Sequence, residues 1–359
     1  MKKKIAILHP NFGWGGGEAV CVWIIKALID KYDIDLIVTG KNVTISRINQ
    51  FYQTGFKEDD FNIIPVLSPL QGYFLKFNMI QRYFKNHQQK YHFAISSNNE
   101  MDFGKRGIQY IHYPILYENR SGLFKKIYKK LLLFWSQFHF EGMRNNLTLT
   151  NSIWTKKIII KHYDLECRVL YPSVVEEIPI LKEVIKGQSF VCIGRIARSK
   201  ELGKIIRILS EVKKNFPEIT LDIIGYVEER EYFKRIKRIA EDTDWVKIRT
   251  NLSRAAMMKA IMKYKYGIHG MKKEHFGIAV LEMIKAGIIP FVPNDGGQVE
   301  IVANKHLIYG DEKDAVQKIK NLLGNPSLQE KTLKQLQVQN KRFSREVFVK
   351  QIREIVDHF

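Results

Sequence analysis

KKEHFGIAVLEMIKAG, Lys272–Gly287, sets Glu274 and Glu282 on either side of a short apolar insert and closes on a glycine. The insert predicts a helix over Gly277–Ala286, with Gly287 as its C-terminal cap. Glu274 then falls in the loop before the helix, and Glu282 one to two turns inside it. Both can face a ligand at the helix N-terminus, where outward-pointing backbone N–H groups favour an anion. A buried helix with a solvated glutamate at each end is the plainer reading, and spacing alone does not choose between them. The flanks decide more. YGIHG (Tyr266–Gly270) before the loop and IIPFVP (Ile288–Pro293) after the helix read as strands. Strand, helix and strand in that order make a βαβ unit, and so a parallel sheet.

The same rhythm runs outward in both directions. Ile5–Leu8, Ile34–Val38, Phe93–Ser97, Gln109–Ile111, Leu147–Thr150 and Arg168–Leu170 read as strands, with helical patterns such as Glu18–Ile29 and Ile153–Lys161 between them. Residues 173–188 mix a proline with charges, without steady periodicity, and read as a linker. After it the rhythm restarts with FVCIGRI (Phe190–Ile196), TLDIIGY (Thr220–Tyr226) and VKIRT (Val246–Thr250). The expectation is α/β: a Rossmann-like doubly wound domain over 1–172, the linker, and a second such domain over 189–335. A helical tail over 336–359 is expected to pack back on the first domain. Ligands of such sheets bind at the carboxyl ends of the strands, where the strand order reverses.

The chain has 359 residues, 45% hydrophobic and 26% charged, as in soluble globular proteins. No apolar run approaches the roughly 18 residues of a membrane-spanning helix. MKKKIAILHP at the start reads as a first strand rather than a signal peptide. Cys21, Cys167 and Cys192 lie far apart, without metal-ligand or disulfide spacing. The formal charge of +21 favours anionic partners: nucleic acid, anionic lipid or phosphorylated metabolites. With no zinc-finger spacing, RNP-type signature or clear helix-turn-helix, nucleic acid falls behind the other two.

Several constellations sit where chemistry belongs. HPNFGWGGGEAVCVW places Gly15, Gly16 and Gly17 between the first strand and its helix, where backbone can approach a phosphate or sugar. Glu18 follows them and the second strand ends in Thr39, so the dinucleotide fingerprint is not met. CIGRIARSKEL ends a strand at Gly194 and brackets the next loop with Arg195 and Lys200, two cations suited to a leaving diphosphate. In QYIHYPI, His112 stands at a strand's carboxyl end.

In this order, Gly15–Gly17, His112, Arg195 with Lys200, and the Glu274–Glu282 pair resemble glycosyltransferase family 4, the retaining GT-B enzymes. YIHYP, NSIWTK (Asn151–Lys156), VLYPSV (Val169–Val174), EHFGIAVLE and GGQVEIV (Gly296–Val302) are similar to its α-1,2-mannosyltransferases of lipid-linked oligosaccharides. The resemblance implies a GT-B fold, with two domains facing a cleft that closes for chemistry. It implies a metal-independent transfer of a hexose, mannose from GDP-mannose, to a lipid-linked or other glycan acceptor. The catalytic set would be His112, Arg195, Lys200 and Glu274. Donor contacts would come from Gly16, Gly17, Gly194, Arg195, Lys200, His275, Phe276, Gly277, Ile278 and Glu282, with Glu274 on sugar hydroxyls and Glu282 on the ribose. The nucleotide sugar is a co-substrate, and no resident cofactor is implied. Three positions depart from the pattern: Ala19 stands where arginine is usual, Glu201 where glycine is, and Gln298 where proline is common.

Two further segments are read apart from the resemblance. Asp33–Asp35 and Asp242–Asp244 fit the letters of a metal-binding Asp-x-Asp motif, but lie at the wrong end of their strands and read as solvated edge charges. Leu123–Phe140 sets Lys125, Lys126, Lys129 and Lys130 beside Leu131–Trp135. It reads as a helix packed on the first sheet with lysines outward, or as an interfacial membrane helix. An anionic membrane surface is therefore an expected partner, with the protein cytoplasmic and peripheral. The alternatives are a UDP-sugar donor, a same-fold nucleotide-sugar epimerase, and a non-enzymatic sugar-nucleotide or lipid-binding module.

Overall fold

Ile5, Ala6, Ile7 and Leu8 are all fully buried, as a central strand covered on both faces requires. Ile5 and Ile7 enter one core cluster while Ala6 and Leu8 enter another, the alternation of a strand with two buried faces. In the computed structural model this strand, β1 (Lys3–His9), lies mid-sheet. The structure describes the chain except residues 1, 14, 41, 69–71, 118–122 and 174–186. Most of the segment read as a linker, 173–188, lies outside the described residues.

The chain divides into two units, Met1–Glu176 with Phe343–Phe359, and Glu177–Arg342. Unit 1 adds β2 (Tyr32–Thr39), β3 (Asn62–Val66), β4 (Ala94–Ser96), β5 (Ile108–Ile111), β6 (Leu147–Thr150) and β7 (Arg168–Val169). All pairings are parallel, in the order β3-β2-β1-β4-β5-β6-β7. Unit 2 holds β8 (Gly187–Ile193), β9 (Leu221–Gly225), β10 (Val246–Thr250), β11 (Tyr264–Ile268), β12 (Ile289–Pro293) and β13 (Ile308–Tyr309). Their order is β10-β9-β8-β11-β12-β13, again parallel throughout. Each unit is thus doubly wound, with its order reversing at β1/β4 and at β8/β11. Those two crevices are where ligands of such sheets bind.

β3 escaped the sequence reading because Pro65 interrupts it. β3 pairs only with β2, and an edge strand tolerates a missing N–H donor. The segment that returns to unit 1 is Phe343–Phe359, whereas Leu336 lies within the helix Pro326–Asn340 of unit 2. The returning helix, Arg345–Asp357, is pinned to the helix Gly16–Leu28. Phe348, Ile352 and Val356 join its core, and Arg353 Nε donates to Ala27 O at 2.7 Å.

One expectation needs correction. Asp35 is not a solvated charge: it is buried in β2, accepts from Tyr91 Oη at 2.9 Å and Asn62 Nδ2 at 3.0 Å, and lies 3.1 Å from Lys4 Nζ. The helix Leu123–Trp135 does pack on unit 1, but only through part of its surface, and much of its apolar side is exposed.

Candidate active site

The helix proposed from the opening stretch runs Ile278–Lys285. Its end is a Schellman turn, with Gly287 N donating to Ile284 O at 2.9 Å and Ile288 N to Met283 O at 3.0 Å. Glu274 sits in the loop before the helix, forms a parallel bridge with Gly296, and accepts Gly297 N on its carbonyl at 2.7 Å. Gly296 has φ +120°, and a Cβ there would fall 2.6 Å from Glu274 O. Only glycine lets the two loops run this close. Gln298, in the usual proline position, starts the next short helix and ties this loop internally: its Nε2 donates to Asp295 O at 2.7 Å and Met271 O at 3.2 Å.

The Glu274 carboxylate is the hub of unit 2. Lys200 Nζ donates to Oε2 at 2.6 Å, and His269 Nε2 lies 3.3 Å from the same oxygen. Lys200 follows β8 and His269 follows β11, so the trio sits at the strand reversal. Burial pushes the carboxyl's pKa up, but contact with His269 and the charge of Lys200 outweigh that and hold it well below the usual carboxylate range. Burial, with Lys200's charge, keeps the His269 pKa below its ordinary value, so its imidazole is neutral at pH 7. His275 is lowered as well, by burial first. The arrangement is a fixed carboxylate with a cation and a neutral imidazole against it, suited to orienting hydroxyl groups beside an anion.

The positive φ of the residue after Lys200 explains why glycine is usual there. Glu201 has φ +52°, the left-handed region, and tolerates it as the turn between the short 3-10 segment Arg198–Lys200 and the helix Leu202–Lys213. Arg195 lies apart from the trio's contacts. Its guanidinium is about two-fifths exposed and pairs with Glu228 at 2.6 and 2.8 Å. Glu282 lies inside its helix and is buried, and Arg254 Nη2 donates to its Oε1 at 2.6 Å. A solvated glutamate at the helix end is thereby excluded.

In unit 1, Gly16 and Gly17 open the helix Gly16–Leu28, with Gly15 as N-cap. A Cβ on Gly17 would lie 3.7 Å from His112 Nε2, so the glycine loop and His112 adjoin. His112 Nε2 lies 3.1 Å from Ser97 O, a carbonyl that can only accept, so Nε2 carries a proton. Its backbone N donates to Asn99 Oδ1 at 2.9 Å. Glu18 clasps the loop from inside: its two oxygens accept Gly13 N and Gly15 N, both at 2.8 Å, and it lies 3.5 Å from the buried His9. Burial opposes a charged His9, but Cys21 and Glu18 overcome it and raise the imidazole to about 9. For Glu18, burial is overcome by His9 and the loop amides, which hold it to about 2. Glu18 therefore shapes the glycine loop as an ionised carboxylate.

Sequence reasoning missed His269, Arg254 and His9. His269 carried the same signal that singled out His112, a titratable residue at the carboxyl end of a strand. Arg254 carried none, since its pairing with Glu282 spans 28 positions.

Residues 175–339 match the family model described as "Glycosyl transferases group 1". The match covers nearly all of unit 2. The protein named "GDP-Man:Man(3)GlcNAc(2)-PP-Dol alpha-1,2-mannosyltransferase" from Candida glabrata is 28% identical over 220 residues, 52% of this chain and 43% of that one. The human protein of the same name is 24% identical over 367 residues, covering 82% of this chain and 73% of that one. The chain spans less than half the length of the Candida relative. Among solved structures, Anabaena HepE in complex with UDP and glucose is similar with a TM-score of 0.74 and 15% identity, over 99% of this chain and 100% of that one. That likeness places the fold among GT-B glycosyltransferases. Within the matched segment, Lys200, Glu274 and His269 lie at the β8/β11 reversal.

Proposed function

We propose that the chain is a retaining hexosyltransferase that moves mannose from GDP-mannose to a lipid-linked or other glycan acceptor. The observation that carries this reading is the Lys200–Glu274–His269 trio, with Lys200 and His269 buried and Glu274 partly so, at the strand reversal of a unit that matches the group 1 glycosyl transferase model. The donor sugar and base are taken from the names of the relatives.

In this reading Lys200 and Arg195 stabilise the negative charge that grows on the diphosphate as the glycosidic bond breaks. Glu274, held ionised, accepts hydrogen bonds from sugar hydroxyls and fixes the ring, supported by the backbone near His275, Phe276 and Gly277. Ile278 and Gly194 line the donor with backbone. Glu282 accepts from the ribose hydroxyls, and Arg254 is the positioning residue that aims it. Gly16, Gly17 and His112 form the unit 1 contribution, with the His112 imidazole offered to a sugar hydroxyl. The acceptor oxygen attacks from the face the leaving group departs, which needs no enzyme nucleophile. The reaction uses no metal in this account, so a chelator leaves the rate unchanged. The protein works in the cytoplasm, at a membrane that presents the acceptor.

Donor binding tests the assignment. GDP-mannose is expected to raise the melting temperature of the wild type, since it binds only the folded state. Glu282→Ala should lose most of that shift. Arg254→Met, which removes the guanidinium donor to Glu282 Oε1, should weaken donor affinity and also lower the melting temperature without donor. Calorimetry giving Glu282→Ala the wild-type affinity would remove the ribose role, and a larger shift with UDP-glucose than with GDP-mannose would reassign the donor.

A further inference from the structure

The helix Leu123–Trp135 carries its apolar residues on the wrong side for a helix that only packs. Phe124, Ile127, Tyr128, Leu131, Phe134 and Trp135 recur three and four residues apart and share one face. That face is turned to solvent: Phe124 is 89% exposed, Phe134 86% and Leu131 61%. The opposite side holds the helix in place. Leu132 and Leu133 pack on the unit 1 core, and just beyond the helix Ser136 Oγ donates to Asn78 Oδ1 at 2.7 Å. Arg82 Nη1 donates to Trp135 O at 2.9 Å. The apolar stripe is therefore displayed from a fixed position, and soluble proteins rarely leave such a contiguous patch without use.

The charges beside the stripe indicate its occupant. At 3.6 residues per turn, Lys125 borders one edge and Lys130 the other, with Lys126 further round beyond Lys130, and all three are exposed. A cationic border around an outward apolar stripe matches a bilayer interface, with rings among the acyl chains and ammonium groups at the anionic head groups. The chain's formal charge of +21 has the same sign. We propose that this helix is a monotopic membrane anchor, inserting Phe124, Leu131 and Phe134 into an anionic bilayer, with the lysines as its electrostatic rim. The inference is independent of the transferase reading, because it rests on exposure and charge in unit 1 alone.

Co-sedimentation of the full chain with phosphatidylcholine vesicles, with and without phosphatidylglycerol, tests it. Wild type should sediment with the anionic vesicles. The variant Phe124→Ser/Leu131→Ser/Phe134→Ser should lose roughly tenfold or more in partitioning, at low salt and at high salt. The variant Lys125→Gln/Lys126→Gln/Lys130→Gln should lose roughly a hundredfold on anionic vesicles at physiological salt, and little on neutral ones. All six positions are exposed, so thermal melts should match the wild type. Should the triple serine variant fail to fold, Phe134→Ser alone gives the same comparison. Wild type remaining in the supernatant, or a serine variant sedimenting like wild type, overturns the proposal. A wild-type dimer that the serine changes dissolve, without vesicle binding, assigns the face to a second copy and overturns it as well.

Discussion

Lys200→Met is expected to lower turnover roughly a hundredfold or more, with a smaller effect on donor affinity, because its charge serves the leaving group as that charge develops. The structure adds a second consequence. Lys200 is the cation on the partly buried Glu274 carboxylate, 2.6 Å away, so its removal should also cost stability, by less than the roughly 3–5 kcal/mol of a fully buried pair. His269, 3.3 Å from the same oxygen, softens that loss. Its pKa is lowered by burial and by Lys200, so without Lys200 it binds a proton more readily and restores a positive neighbour. The variant's melting deficit should therefore be smallest at mildly acidic pH and grow as His269 loses its proton. Adding Glu274→Gln to Lys200→Met should recover much of the stability and none of the turnover. Wild-type turnover in Lys200→Met would remove the residue from the mechanism.

Gly225→Ala should be the most damaging single methyl group in unit 2. A Cβ on Gly225 would lie 1.7 Å from the Gly194 carbonyl oxygen and 2.8 Å from its carbon. Both atoms are backbone, so no side chain can turn aside, and β8 must separate from β9 where the Arg195 loop begins. Overpacking of this kind costs about 3 kcal/mol or more, and the displaced loop should weaken donor binding too. Gly203→Ala is the matched control. Its new methyl would meet nothing closer than Ile236 Cδ1 at 3.8 Å, inside the helix Leu202–Lys213. There alanine should stabilise by roughly 0.5–1 kcal/mol. Urea unfolding distinguishes the two, and equal midpoints would mean that the β8–β9 crossing is looser than described.

What could be read in advance followed from local pattern. The buried β-branched runs of β1, β2, β8, β9 and β12 announce themselves, because a strand covered on both faces has no polar alternation to hide it. Of the four edge strands, β7 and β10 could be read, whereas β3, which carries Pro65, and the two-residue β13 could not. The Glu274–Glu282 spacing gave a correct helix and its cap, because both are set within one short segment. It gave nothing about partners. Arg254 on Glu282, His269 on Glu274 and His9 beside Glu18 join residues brought together by tertiary structure, where one sequence without covariation is silent. Glu18 counted only as a departure from a fingerprint, yet its carboxylate orders the glycine loop that the fingerprint was meant to find. The lysines near Leu131 drew notice through charge, while exposure of Phe124 and Phe134 depended on which side the helix packs.

The central claim is retaining hexosyl transfer, and the anomeric configuration of the product tests it most directly. The full chain should be incubated with GDP-α-mannose and a mannose-terminated lipid-linked acceptor, and the new linkage read by proton NMR. A new α-mannosidic linkage is expected, together with one GDP released per linkage formed. A β-linked product, or release of GDP with no sugar transferred to any acceptor, would contradict it.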